Sequence, residues 1–186
     1  MTYRFETERL ILRRLEMSDA TRVQQFAGAV EIAANTLTMP HPYEDGVAQI
    51  FIENVRERWD KGSDFVFCIA LKSDNLLMGV IGVHPDMGNH RAEIGYWLGV
   101  PFWNKGYVTE AARRIVQFGF EDLRLNRIHA AYFARNPASA RIMQKVGMTY
   151  EGLMRQHYIR FGEFQDTGFY SILRSEWDAQ NRTPDA

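Results

Sequence analysis

The sequence predicts an α/β (α+β) fold, a mixed and mostly antiparallel central sheet of about seven strands flanked by about four helices. Three observations predict it. β-Rich segments at 65–71, 76–84 and 91–100 follow one another across short polar turns, as in a meander. A helix, a strand and a second helix then occupy 106–146. Two long β-segments close the chain. A meander that feeds a strand–helix–strand crossover gives a mixed sheet with helices on its faces.

Leu10, Ile11 and Leu12 form a short strand, entered from a charged N-terminus. Ser18 and Asp19 offer caps to a helix carrying Val23, Phe26 and Val30 at helical spacing. Pro40 and Pro42 place 35–42 in a loop. Over 43–59, Val47, Ile50, Phe51, Val55 and Trp59 fall on one helical face, and Gly62 ends that helix. The meander follows, with a turn at Ser73-Asp74-Asn75. From 106 to 122, Val108, Ala111, Ala112, Ile115 and Gly119 share one face of an amphipathic helix. A strand at 128–134 leads to a helix at 137–146, with Asn136 as N-cap, Pro137 at its first position and Gly147 just past its end. Segments 149–160 and 165–173 are joined by a turn at Phe161-Gly162-Glu163. The order is β-α-α-β-β-β-α-β-α-β-β, expected as one domain over 1–186 with a frayed tail at 179–186.

Charge and cysteine content bound the function. Twenty-two basic and 23 acidic side chains leave a net charge of −1, which removes the main electrostatic argument for nucleic acid. Cys68, the single cysteine, cannot form an internal disulfide and reads as a buried small hydrophobe in a reducing compartment. The apolar run around it is too short for a membrane span, and Arg4, Glu6, Glu8 and Arg9 exclude a secretory signal. Cytoplasm is the expected location. His41, His84, His90, His129 and His157 show no close metal-ligand spacing, so no metal is expected.

Two stretches carry candidate chemistry. In Val100-Pro101-Phe102-Trp103-Asn104-Lys105-Gly106-Tyr107-Val108-Thr109-Glu110 a strand gives way to a helix start, whose free N–H groups and positive dipole end suit a phosphate. Gly106 lets an anion approach the backbone, while Lys105 adds charge and Thr109 a hydroxyl. The competing reading is a plain connection in which Gly106 only relieves a turn. In the second stretch, Asn136 and Ser139 lie three apart at the start of a helix that directly follows a strand, so both can face the mouth of the sheet. Here the competing reading makes Asn136 a cap and Ser139 a solvated first-turn residue. Glu110 with Arg113 or Arg114 reads as a helix-face ion pair, and Trp97, Phe102, Phe118 and Phe120 as core or cofactor-lining residues.

Together the stretches resemble the GNAT superfamily of N-acetyltransferases, and within it the branch that acetylates the N-terminal alanine or serine of ribosomal proteins. The resemblance begins at Thr7-Glu8-Arg9-Leu10-Ile11-Leu12-Arg13 and includes Met39-Pro40-His41-Pro42-Tyr43 and Ala92-Glu93-Ile94-Gly95-Tyr96-Trp97-Leu98. It continues through Trp103 to Ala111 and Asn136-Pro137-Ala138-Ser139, and ends with Gly162-Glu163-Phe164-Gln165-Asp166 and Tyr170-Ser171-Ile172-Leu173. The pyrophosphate loop departs from the superfamily pattern, with Trp103 where Gln or Arg is usual and Val108 where Gly or Ala is usual.

The resemblance implies that acetyl-coenzyme A lies in a gap between two strands and passes its acetyl group directly to an amine. Carried over, Leu98, Gly99 and Val100 pair with the pantetheine amides. The pyrophosphate sits on backbone from Trp103, Asn104, Lys105, Gly106, Tyr107, Val108 and Thr109. Asn136 bonds the pantetheine arm, Ser139 lies beside the thioester and Arg141 near the nucleotide. Glu93 becomes the candidate base, acting through a water, where burial would raise its pKa; the competing reading is a solvent-facing strand Glu paired with Arg91 or a neighbour. Ser139 becomes the group that protonates or hydrogen-bonds the leaving thiolate, with Tyr132 and Tyr158 as alternatives.

His41, Tyr43, His157 and Tyr158 would line the acceptor cleft. The resemblance favours a protein N-terminus as acceptor, though relatives with similar loops acetylate antibiotics and polyamines. Rival readings are a coenzyme A-binding sensor without turnover, a phosphate-loop nucleotidase, which lacks its glycine motif here, and a nucleic-acid binder. An exposed apolar strip on the closing β-segments could make a homodimer, which the sequence does not by itself establish.

Overall fold

The computed structural model describes residues 3–181. The chain enters through β1 (Phe5–Glu6) and β2 (Leu10–Arg14), then α1 (Ala20–Ala27), α2 (Val30–Ala34) and α3 (Val47–Asp60). The meander is β3 (Phe65–Leu71), β4 (Leu77–Asp86) and β5 (Arg91–Leu98), followed by α4 (Tyr107–Glu121), β6 (Arg127–Phe133) and α5 (Pro137–Lys145). The chain then runs through β7 (Thr149–Arg160), β8 (Glu163–Leu173) and α6 (Arg174–Asn181). Among the described residues the strands form one eight-stranded sheet in the order β1-β2-β3-β4-β5-β6-β8-β7. Its pairings are antiparallel except β5 with β6, where α4 carries the chain back to start a parallel neighbour.

Alternation along the strands sends apolar side chains into two cores. On one face Phe67, Ile69, Ile81, Val83, Ala92 and Ile94 pack beneath α4 and α5. On the other, Val66, Cys68, Val80 and Trp97 pack against Val23 and Phe26 of α1 and Ile52 and Val55 of α3. Burial pushes the Cys68 thiol upward and out of the range of a nucleophile. No helix among the described residues is long and apolar enough to cross a membrane.

The differences from expectation sit at element ends. Val30 does not continue the first helix, because the chain turns extended at Ala29 and restarts as α2. The next helix begins at Val47, after Gly46 at φ 87°, rather than at 43, and Ile50 is exposed while Ala48 and Ile52 fill the buried stripe. β4 runs on to Asp86, β5 stops at Leu98, and Val100–Phe102 form a 3-10 turn. β1, two residues long, has too little pattern to read, and is held by the pairing of Phe5 with Leu12. α6 places Trp177 against Phe120 at 5.3 Å, so residues 179–181 are a last helical turn rather than frayed tail; 182–186 lie outside the described residues. Tyr150, Leu153, Met154 and Ile159 of β7 and Phe164 of β8 are exposed.

Candidate active site

The site is set by a failure of pairing. β5 and β6 run side by side only at Arg91–Arg127, Ala92–Ile128 and Glu93–His129, and then diverge. Gly99 donates back to Met78 of β4 at 2.8 Å, so the odd positions of β5 serve β4 and the even ones face the gap. The backbone groups of Tyr96 and Leu98 therefore line an open seam beyond the last β6 pair. The Leu98 carbonyl accepts a bond from the Trp103 indole at 2.6 Å. Trp103 thus closes the outer end of the seam through its ring nitrogen, and of the Leu98 pair only the N–H is left for a ligand.

At the mouth of this seam α4 begins. Asn104 (φ 61°) and Gly106 (φ 79°) are both left-handed, and this curls 103–106 around the helix start. Glycine offers no capping side chain, and the first intrahelical bond runs from the Glu110 N–H to the Gly106 carbonyl at 3.1 Å. The amides of Tyr107, Val108 and Thr109 precede it and have no carbonyl within the helix. Val108 is buried, at 8% exposure, and points into the core beneath α4. The residue that departs from the family pattern therefore turns its side chain away from the amides.

Arg9 braces the cradle from behind. Its guanidinium reaches Glu110 Oε2 through Nε and Nη2, both at 2.7 Å, and the Lys105 carbonyl at 2.9 Å, and lies 4.7 Å over the Tyr107 ring. Thr7 Oγ1 donates to Glu110 Oε1 at 2.6 Å. Burial alone would raise the Glu110 carboxyl, but the bonds from Thr7 and Arg9 outweigh it and hold it below the ordinary carboxylate range. Glu110 is therefore not paired with Arg113 or Arg114. Arg113 caps the Lys145 carbonyl at 2.9 Å, and Arg114 lies 3.6 Å over the Phe5 ring.

The second helix start is built differently. Asn136 Oδ1 accepts from the Ser139 N–H at 3.4 Å, and Pro137 occupies the first turn. Ser139 is buried at 8% exposure rather than solvated. Its Oγ lies 2.8 Å from Tyr96 Oη, across the mouth of the seam. Burial pushes the Tyr96 phenol up to about 12, while the Ser139 hydrogen bond pulls the other way, so the phenol keeps its proton at neutral pH. Tyr96 is the functional candidate that sequence reasoning missed. Tyr132 packs on Tyr170 at 5.8 Å instead, and Tyr158 lies on β7 beside His157 at 4.2 Å. Arg141, on α5, is exposed.

Glu93 lies on the opposite face of β5, with Gly95 and Trp97, and its side chain is 54% exposed rather than buried. The register sets it between His84 of β4 and His129 of β6, with His129 Nε2 at 4.0 Å from Glu93 Oε2. Burial lowers the His129 pKa, with the Glu93 carboxylate pulling it the other way. His84 Nδ1 in turn bonds the buried Asp64 at 2.6 Å.

Above this face the expected acceptor residues are only partly gathered. His41 meets Phe161 of the closing hairpin at 6.0 Å, and His157 meets Phe169 at 5.7 Å. Tyr43 is half-buried against Gly28 and its carbonyl accepts from Gln24, so it supports α1 more than it faces the cleft. Two arginines not expected in this role bind the loop to the sheet. Arg160 donates to the Ala33, Leu37 and Met39 carbonyls, and Arg135 to the Ala34 carbonyl. Clustered loop carbonyls leave no signature in a sequence.

The chain is similar to known proteins along most of its length. The acetyltransferase (GNAT) domain family matches residues 9–149. An uncharacterised N-acetyltransferase of Bacillus licheniformis, p20, is 31% identical over 92% of this chain and 96% of its own. YdaF of Bacillus subtilis, named as a candidate ribosomal N-acetyltransferase, is 35% identical over 60% of this chain and 61% of its own. A solved GNAT-family acetyltransferase from Bacillus anthracis superposes with a TM-score of 0.81 at 29% identity, covering 93% of this chain and 99% of that one. The chain belongs to the GNAT family, and it is an acyltransferase.

Proposed function

We propose that the protein transfers the acetyl group of acetyl-coenzyme A directly to a primary amine, and that the amine is the N-terminal α-amine of a protein such as a ribosomal protein. The observation that carries the reading is the open seam between β5 and β6 with an uncapped helix start at its mouth. The Leu98 N–H and the Gly99 to Val100 backbone would meet the pantetheine, with the Asn136 side-chain N–H on the other wall. The amides after Gly106 would take the pyrophosphate, with Lys105 and Arg141 as counter-charges.

Aligned reactants in such a seam avoid much of the entropic cost of a bimolecular reaction. A backbone N–H of β5 would receive the developing oxyanion. Tyr96 and Ser139 form a short hydrogen-bonded pair from which the departing thiolate would take a proton. Glu93 stands on the acceptor face, where an incoming ammonium would meet its carboxylate. An α-amine titrates near ~8, about two units below a lysine amine at ~10.4, and so asks less of the base. The similarity to YdaF supports the ribosomal branch.

The test is calorimetric titration with acetyl-coenzyme A followed by thiol release with three acceptors. These are a peptide with a free N-terminal alanine or serine and no lysine, an Nα-blocked peptide with a lysine, and a polyamine. Release on the first alone is expected. Release on the polyamine alone would replace the protein acceptor with a small molecule, and binding with no release on any would leave a sensor.

A further inference from the structure

Beside Glu93 the acceptor face carries a second proton-accepting group. Asp64, just before β3, is buried at 5% exposure and holds His84 Nδ1 at 2.6 Å through one oxygen. Its other oxygen lies 3.4 Å from Arg58 Nε, at the end of α3. With Nδ1–H donated to a carboxylate, Nε2 carries the free lone pair. The His84 side chain is 47% exposed, so the ring is not sealed in the core.

The direction of the ring is as informative as its partner. A Cβ built on Gly82 would lie 2.8 Å from His84 Nε2, and one built on Gly95 3.9 Å from it. The imidazole therefore lies along β4 over Gly82, which pairs with Gly95. Because β4 and β5 are antiparallel, moving from 84 to 82 is moving from 93 to 95, towards Tyr96 and the open seam. Two glycines clear the floor over which the ring leans. The charged neighbours are Asp64 and Arg58 on one side, Glu93 and then His129 on the other, and Asp86 with Arg91 further along the same strands.

We propose that His84, oriented by Asp64, is a catalytic base that takes a proton from the acceptor ammonium before it attacks the thioester. The inference rests on the acetyl-transfer reading above. The step is R–NH3+ plus neutral imidazole giving R–NH2 plus imidazolium; the half-exposed ring then returns the proton to solvent. Glu93 beside it attracts the ammonium by charge. An ordinary imidazole is about two units closer in pKa to an α-amine than an ordinary carboxylate is, so proton transfer to it is less uphill.

The experiment measures thiol release from acetyl-coenzyme A by the wild type, His84→Ala, His84→Gln and Asp64→Asn, with added imidazole, alongside the melting temperature of each. Wild-type release on an amine is the entry condition; if it is missing, the transferase reading falls and this assignment with it. Given that release, His84→Ala is expected to lose kcat about tenfold to hundredfold with the KM for acetyl-coenzyme A held within about twofold, and imidazole is expected to restore part of it. Asp64→Asn should lose less and shift the acid arm of the pH–rate profile, where a base must give up its own proton before it can act. Activity of His84→Ala within about twofold of wild type overturns the proposal, and so does a loss that tracks melting temperature without imidazole rescue. If His84→Ala does not fold, His84→Gln decides: a folded variant with full kcat refutes the base, and one with depressed kcat and intact cofactor affinity supports it.

Discussion

The two helices that follow strands at the seam, α4 and α5, start in opposite ways. α4 begins at a left-handed glycine with no capping side chain, and its first-turn amides are left to whatever lies in front of them. α5 begins at Asn136, whose side chain takes the Ser139 amide, and at a proline with no amide to offer. In sequence both look like ligand-facing helix starts. The difference teaches that an anion site is a helix start whose own chain declines to satisfy it, whereas a capped start presents side chains. On α5 that side chain is Ser139, which meets Tyr96 rather than a phosphate.

Substitutions at the two starts should separate along this line. Gly106→Val forces a β-branched residue into a φ of 79° and crowds the cradle against Arg9. Titration calorimetry should show coenzyme A affinity lower by about tenfold to hundredfold, the size of one or two charge-assisted hydrogen bonds. Equal affinity would place the pyrophosphate elsewhere. At α5 the expected loss is in rate: Ser139→Ala should lower kcat about tenfold while coenzyme A binding stays within about twofold. A loss of binding as large as that of Gly106→Val would erase the distinction between the starts.

Asn136 can be divided further. Asn136→Ala should cost about 1 kcal/mol in denaturant melts through the lost cap. Asn136→Asp keeps the cap oxygen but replaces the side-chain N–H with a negative charge, so it should hold stability and lose severalfold in cofactor affinity. The smallest effect concerns the brace behind α4. The Glu110 carboxyl is held below its ordinary value, so it contributes stability above the unfolded value of about 4.3 and loses it as pH falls through the lowered folded value. Glu110→Gln should be less stable than wild type by about 1 kcal/mol at pH 7, with the gap closing as the pH falls below 4.3.

The architecture was legible because its signals are local and repeated. The continuous apolar runs of β3 and β4, the alternating run of β5 and the apolar stripe of α4 each need only their own segment to be read, and the meander and crossover then follow. What escaped depended on distant partners. β1 exists because Phe5 meets Leu12, and α6 because Trp177 meets Phe120. The site divides the same way. Gly106 at a helix start and Asn136 before a proline are readable from neighbours in the chain. Glu110 was assigned to Arg113 or Arg114 on helical spacing, but Arg9, a hundred and one positions away, holds it. Tyr96 has no motif of its own and acquires a role only when β5 leaves β6 and Ser139 comes into reach. Glu93 takes the solvent-facing alternative, on the polar side of the alternation that buries Ala92 and Ile94.

The most direct test of the central claim, that the open seam and the uncapped start of α4 together hold the cofactor, is amide hydrogen exchange with and without acetyl-coenzyme A. The account predicts slowed exchange at Tyr107 to Thr109 and at Leu98, with the Ser139 amide, already bonded to Asn136, little changed. Protection confined to the first turn of α5, with none at α4, would contradict it.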